Sequence, residues 1–282
     1  MNANAHRRPV PPTGWAAVRA AATACSAGGL RGRRLLGLVT LVGLPLVVQV
    51  VLLVFGEGRG SAFASFAQRV DNAYLRAIVP LALIFLGTAA FGDEWEGGTA
   101  HYLLGAPLPR RALVLGRFLA AVRRALLLLL PALALLFVLC VAPHAGALAH
   151  YLADALIVLG AMSLAVLAYT AVFLLLGLWL RRSIMSAFLY VLVFEGLIGN
   201  LPSGFSALSI SFHARNLLWR GTDAEAFRPV LLQKLGLEPP GVVASLVTLL
   251  VFAGLALGAA AFVLQRKEFT GSGQQAESTP GA

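Results

Sequence analysis

The chain has 282 residues, of which 59% are hydrophobic and only 12% charged, with a formal net charge of +10. A soluble globular domain carries about 25% charged residues, so this composition excludes an ordinary water-soluble fold. The apolar residues are gathered into blocks, most of them close to the 20 or so residues needed to cross roughly 30 Å of hydrocarbon.

Residues 1–34 hold six arginines (Arg7, Arg8, Arg19, Arg31, Arg33, Arg34) and no apolar core. A secretory signal places such a core within about the first 15–30 residues, so no cleavable signal is expected. Within this segment, Thr13–Arg34 is Ala-rich with Trp15, Val18 and Leu30 among the arginines. It reads either as an amphipathic helix lying on the membrane interface or as a basic flank.

Six apolar blocks follow, at about 35–55, 74–91, 125–142, 155–180, 183–201 and 241–264. Each reads as a transmembrane helix, because a spanning helix satisfies its own backbone hydrogen bonds. The expectation is an all-α polytopic membrane protein with one six-span domain over 35–268. In the second block Arg76 leaves only Ala77–Phe91 uncharged, and its head is expected to snorkel to the interface. Pro45, Pro80 and Pro131 sit within blocks and are expected to kink them. Cys25 and Cys140 lie far apart and read as packing thiols. The connection between the last two blocks, Pro202–Pro240, is long, and Asp223–Leu235 within it has helical spacing of Phe227, Val230, Leu231 and Lys234. Residues 269–282 have the composition of a disordered tail. No tandem repeat is present.

Basic residues sort by connection. Fifteen lie in the N-terminus, the second and fourth connections and the tail, against seven on the alternate side. The positive-inside rule then puts both termini and the passage 91–117 in the cytoplasm, in a cytoplasmic membrane. Contact with anionic lipid accounts for the basic balance without nucleic acid.

That passage reads FGDEWEGGTAHYLLGAPLPRRALVLGR. Gly97-Gly98 is a poor helix interior, so the second span ends near Glu96, after Asp93 and Glu94. Thr99 is a good N-cap for a short helix over Ala100–Gly105 that carries Tyr102, Leu103 and Leu104. Pro107 stops it, and Pro109 suits the first turn of the next helix, which runs from Arg110 towards the third span. By pattern alone this is either a built surface handle or an ordinary helix connection.

Glu195, in YVLVFEGLIGN, is the one carboxylate well inside an apolar block. An ionisable residue there is a functional candidate by default; the competing reading is a span that breaks near Gly196, Gly199, Asn200 and Pro202, with Glu195 capping backbone groups. Gly254 and Gly258 have the spacing for close helix contact. The five histidines form no i, i+4 ligand pair, and no metal site or catalytic motif is expected. The lysines are Lys234 and Lys267, neither in a Gly-Lys-Ser/Thr sequence, so no phosphate-binding loop is present and any ATP use belongs to a partner.

Glu94-Trp95-Glu96-Gly97-Gly98-Thr99 followed by LLGAPLPRRALVLGRFLA resembles the cytoplasmic segment of ABC-2 type transporter permeases. Glu94, Glu96, Gly98, Thr99, Pro107, Arg110, Gly116 and Arg117 match an acidic-x-acidic-x-Gly-Thr motif, a Pro with a following Arg, and Leu-x-Gly-Arg. Trp95 and Gly97 stand where basic residues are common, and His101 where an acidic one is. Phe194-Glu195-Gly196-Leu197, Leu201-Pro202 and Leu208-Ser209-Ile210 are similar to the fifth-span ending of bacterial members. The resemblance implies a permease subunit that exports a substrate, pairs with itself or a similar permease, and works with two separate ATPase subunits. ATP and Mg would be bound by those partners, with no cofactor in this chain. Thr99–Gly105 would be the coupling helix between spans 2 and 3. The ATPase-coupling residues would be Glu94, Glu96, Gly98, Thr99, Tyr102, Leu103, Leu104, Pro107 and Arg110. Thr13–Arg34 would be the elbow helix. Two rivals remain at this stage: a polytopic membrane enzyme using Glu195, His144 and His150, and a non-transporting anchor or sensor for an ATPase.

Overall fold

The computed structural model describes residues 14–27, 33–55, 62–91, 109–144, 146–180, 182–197, 208–222, 224–228 and 240–266, and among these every regular element is helical. Helix α1 is Gly14–Ala27 and α2 is Arg33–Val54. Helix α3 (Ala62–Arg69) runs through a wider π-helical segment, Val70–Ile78, into α4 (Val79–Thr88). Helix α5 is Arg110–Val141, and α6 is a single turn, Ala147–His150. Helix α7 is Leu152–Trp179; α8 (Ser183–Tyr190) continues as a second π-helical segment, Val191–Leu197. Helix α9 is Ile210–Thr222 and α10 is Val242–Arg266.

Five of these stretches are long and apolar enough to cross a membrane: 34–54, 63–88, 110–141, 152–179 and 242–266. Their burial grades across the bundle. In the most apolar window, 67% of 63–88 is buried and 56% of 152–179, against 22% in both α2 and α10. The second and fourth crossings therefore form the centre, with α2 and α10 outside. The outer faces are bare hydrocarbon: Val47, Leu127, Val243 and Leu255 are all more than 60% exposed. Water does not tolerate such a surface and lipid does, so the chain is a multi-pass membrane protein.

The helices approach closely where residues are small. A Cβ on Gly177 of α7 would lie 2.7 Å from the Thr88 carbonyl oxygen, so only glycine lets the end of α4 reach α7 there. A Cβ on Gly116 of α5 would lie 2.5 Å from the Ala21 Cβ and 2.7 Å from the Val18 carbonyl, which seats α1 across α5. Trp15 of α1 faces outward while Ala17, Val18 and Ala21 are buried. Within the N-terminal segment, Gly14–Ala27 is thus a helix packed on α5.

One expectation differs from the structure. The second crossing starts at Ala62, well ahead of Tyr74, because Asp71 and Arg76 neutralise each other inside the helix instead of ending it. The π-helical turn that carries them closes at Pro80, which has no N–H to give; Val79 instead bonds five residues back, to the Tyr74 carbonyl. The Tyr74 hydroxyl donates 2.9 Å to the Val42 carbonyl, near Pro45 of α2. In the fifth block the described helix is Ser183–Leu197, shorter than the five crossing helices, and residues 198–201 lie outside the described residues. A helix also occupies Ile210–Thr222 of the following connection; of Asp223–Leu235, residues 224–228 are described and hold one 3-10 turn at Glu225–Phe227, and the rest lies outside the described residues. The tail 269–282 lies outside the described residues, as does the Asp93–Leu108 passage.

Pro45 and Pro131 lie inside continuous helices. Cys140 is a buried free thiol.

Candidate functional site

The site is built where the π-helical segment after α8 meets the start of α9. Helix α9 begins deep in the bundle and runs outward. Its far end lies against the start of α7, where a Cβ on Gly221 would meet the Ile157 side chain at 2.5 Å. Asn216 donates 2.7 Å bonds to the Pro240 carbonyl and the Ser245 hydroxyl, tying α9 to the first turn of α10. Its near end is beside Tyr169, ten residues from the other end of α7 and so about 15 Å from it. A helix that starts inside the apolar layer exposes N–H groups that have no water to meet.

Glu195 supplies the acceptors. Its Oε1 takes the Ile210 N–H at 3.0 Å and its Oε2 the Ser211 N–H at 3.2 Å. The Ser209 hydroxyl donates to Oε2 at 2.6 Å, and the Ser211 hydroxyl donates to the same oxygen. Ser209 in turn accepts the Phe212 N–H at 3.1 Å, as an N-cap does. The first three amides of α9 are thereby satisfied, two of them by a carboxylate from another element. The positive end of the α9 dipole faces that carboxylate. The fully buried Tyr169 hydroxyl lies beside the same cluster.

A second carboxylate anchors α9 one and a half turns further out. Asp71, 3% exposed, accepts from Arg215 of α9 at 2.7 Å and from Arg76 at 3.1 Å. The Arg215 side chain is 18% exposed and the Arg76 side chain 59%. Arg215–Asp71 is therefore the costly, desolvated pair, whereas Arg76 adds a screened contact. Sequence reasoning missed Asp71. Its neighbours Arg69, Asn72 and Arg76 read as a polar flank, and the signal was the acid-base pair lying five apart on one helix.

Between the two π-helical segments, α8 and α9 lies a cavity of about 880 Å³. Leu81, Met185, Leu189 and Leu192 form apolar wall, and Arg76, Arg215 and Glu195 line one end. Arg182, at the start of α8, lines the other. Volumes of about 300–1,000 Å³ suit small-molecule ligands.

At the arginine-rich face, α5 gathers other helix ends. Arg110 donates to the Leu264 and Gln265 carbonyls at 3.1 and 2.7 Å, at the C-terminus of α10. Arg117, 4% exposed, donates to the Ala90 carbonyl just beyond α4 and lies 4.7 Å over the Phe91 ring. Both place a cation at the negative end of a helix dipole. Gly116 and Arg117 thus have separate structural roles: one admits α1, the other clamps the end of the second crossing. Of the expected coupling residues, Arg110 is the one described; Glu94, Glu96, Gly98, Thr99, Tyr102, Leu103, Leu104 and Pro107 lie outside the described residues.

The candidate enzyme groups do not assemble. His144 and His150 lie in the turn between α5 and α7, while Glu195 neighbours Tyr169, about 25 Å further along α7. Among the described residues no group of three metal-ligating side chains occurs. No curated protein matches the chain. Residues 32–197, from the start of the first crossing through Glu195 and the end of the second π-helical segment, match the family model described as ABC-2 family transporter protein, and the chain belongs to that family.

Proposed function

We propose that this chain is the permease subunit of an ABC exporter in the cytoplasmic membrane, working with separate ATPase subunits and paired with itself or a similar permease. The observation that carries the reading is Glu195 holding the first amides of α9 beside a cavity. A plain anchor has no need for a carboxylate in hydrocarbon, whereas a path that opens and closes needs a crossing that can be unlatched. Counting α8 with α9 as the fifth crossing gives six, with both termini on the arginine-rich, cytoplasmic side. Helix α1 is then the elbow helix on that face. Thr99–Gly105 is the coupling helix that receives the ATPase, with Glu94 and Glu96 before it and Pro107 after it.

The mechanism is a shift between two states. ATP closes the ATPase pair, and the permease follows only if the ATP-bound partner favours one state over the other. Force enters at the coupling helix, passes through the Arg117 clamp on the second crossing, and reaches Asp71 and the α9 latch deeper in the bundle. Charge reversal of Glu94 and Glu96 tests this in reconstituted vesicles. Hydrolysis that continues while flux falls is expected; flux equal to wild type refutes the assigned role of this segment.

A further inference from the structure

The cavity beside the α9 latch carries an unequal set of charges. Its lining includes three guanidinium groups (Arg76, Arg182, Arg215) and one carboxylate, Glu195. Glu195 is already held by two hydroxyls and two backbone amides. Asp71 stands behind the wall and balances one charge of the Arg76–Arg215 pair. Among the described residues Arg182 has neither a hydrogen bond from its guanidinium nor an ion pair, and it faces the opposite end. The two guanidinium groups and two carboxylates of the Glu195 end balance, so positive charge is left over at the Arg182 end of an apolar groove. The groove follows α8 from Arg182 to Glu195, thirteen residues or about 20 Å, enough for the roughly 15 Å of one hydrocarbon leaflet. Its outer lip is open to lipid, with Met185, Leu189 and Leu192 all more than 60% exposed.

We infer that this groove takes an anionic lipid of the bilayer, chains along α8 and acidic head on the Arg182 guanidinium. This names the substrate class of the permease proposed above and rests on that reading for its transport aspect alone; binding itself stands on the groove. An acidic head is chosen over a zwitterionic one because neither end offers an uncommitted acceptor for a choline or ethanolamine cation.

The test is equilibrium binding of two fluorescent lipids with identical chains, phosphatidylglycerol and phosphatidylcholine, to the purified full chain in detergent. The uncommitted Arg182 guanidinium is expected to favour phosphatidylglycerol by about fivefold. Arg182→Gln should abolish that preference, and Arg182→Lys should restore it. Leu192→Trp, which fills the groove from its lipid-exposed wall, should weaken both probes alike. An unchanged elution profile checks that each variant is folded. Equal affinity for both head groups, or binding indifferent to Leu192→Trp, overturns the inference. So does efficient Met185→Cys cross-linking between copies with no probe bound, which assigns the groove to a second copy. Selective binding without ATP-driven flux counts against the permease reading alone; flux without selective binding counts against this one.

Discussion

At the residue scale, two carboxylates hold one short helix inside a membrane protein. Glu195 satisfies two amides of α9 and Asp71 holds Arg215. In Glu195→Gln the amide oxygen can still accept, but its NH2 faces donors. Loss of one charge-assisted bond costs about 1.5–3 kcal/mol, so faster hydrogen exchange at residues 210–212 is expected with the protein still assembled. Exchange at wild-type rates contradicts the latch. Because the latch lies in the proposed path, Glu195→Gln should also alter flux; wild-type flux across pH rejects that role. Asp71→Asn leaves Arg215 buried against a neutral partner, and breaking such a pair costs about 3–5 kcal/mol. A clear drop in thermal midpoint is expected, with Arg215→Gln in the same chain recovering part of it. Glu195 was legible in the sequence as an isolated charge in an apolar block, and capping was one of its two readings. Its partners were not, because Ser209 and Ser211 lie beyond Pro202 and nothing local reveals that the chain returns. Asp71 was invisible for the converse reason: charges of both signs cluster around it, and a cluster looks like a loop.

At the element scale, close approach of helices depends on two glycines. Gly177→Ala puts a methyl against the Thr88 backbone, where only backbone can yield. Overpacking of that kind costs about 1–3 kcal/mol, and a lowered thermal midpoint is expected. Gly116→Val should lift α1 from α5. With Val18→Cys as reporter in a Cys25→Ser background, maleimide labelling should speed up markedly, since Val18 is buried against α5 in the wild type. Unchanged labelling shows that α1 is held elsewhere. Apolar block length located the crossings well, because hydrocarbon thickness is a strong constraint on helices. It did not foresee the meeting of Ser183–Leu197 with Ile210–Thr222, because block length says nothing of contacts between segments. It also set the start of the third crossing late: Arg110–Arg124 was read as leading into a span, and it is the first half of one continuous helix.

At the scale of the whole molecule, the arginine-rich face is where helix ends are gathered. Arg110 holds α10 and Arg117 holds the end of α4, so a push on this face moves several crossings together. The Leu-x-Gly-Arg pattern was legible as a family likeness, but its physical meaning, a seat and a clamp, needed the packing. The cavity runs from Arg182, near this face, to the latch deeper in the bundle. The molecule is therefore read as a lever between a partner outside the membrane and a path inside it. The most direct test is ATP hydrolysis and flux by material purified through a tag on this chain. The expected result is a co-purified P-loop ATPase whose hydrolysis drives flux in vesicles, with Leu103→Asp abolishing the flux while this chain stays in the membrane. A chain that purifies without any ATP-hydrolysing subunit, or that turns over a substrate without ATP, contradicts the central claim.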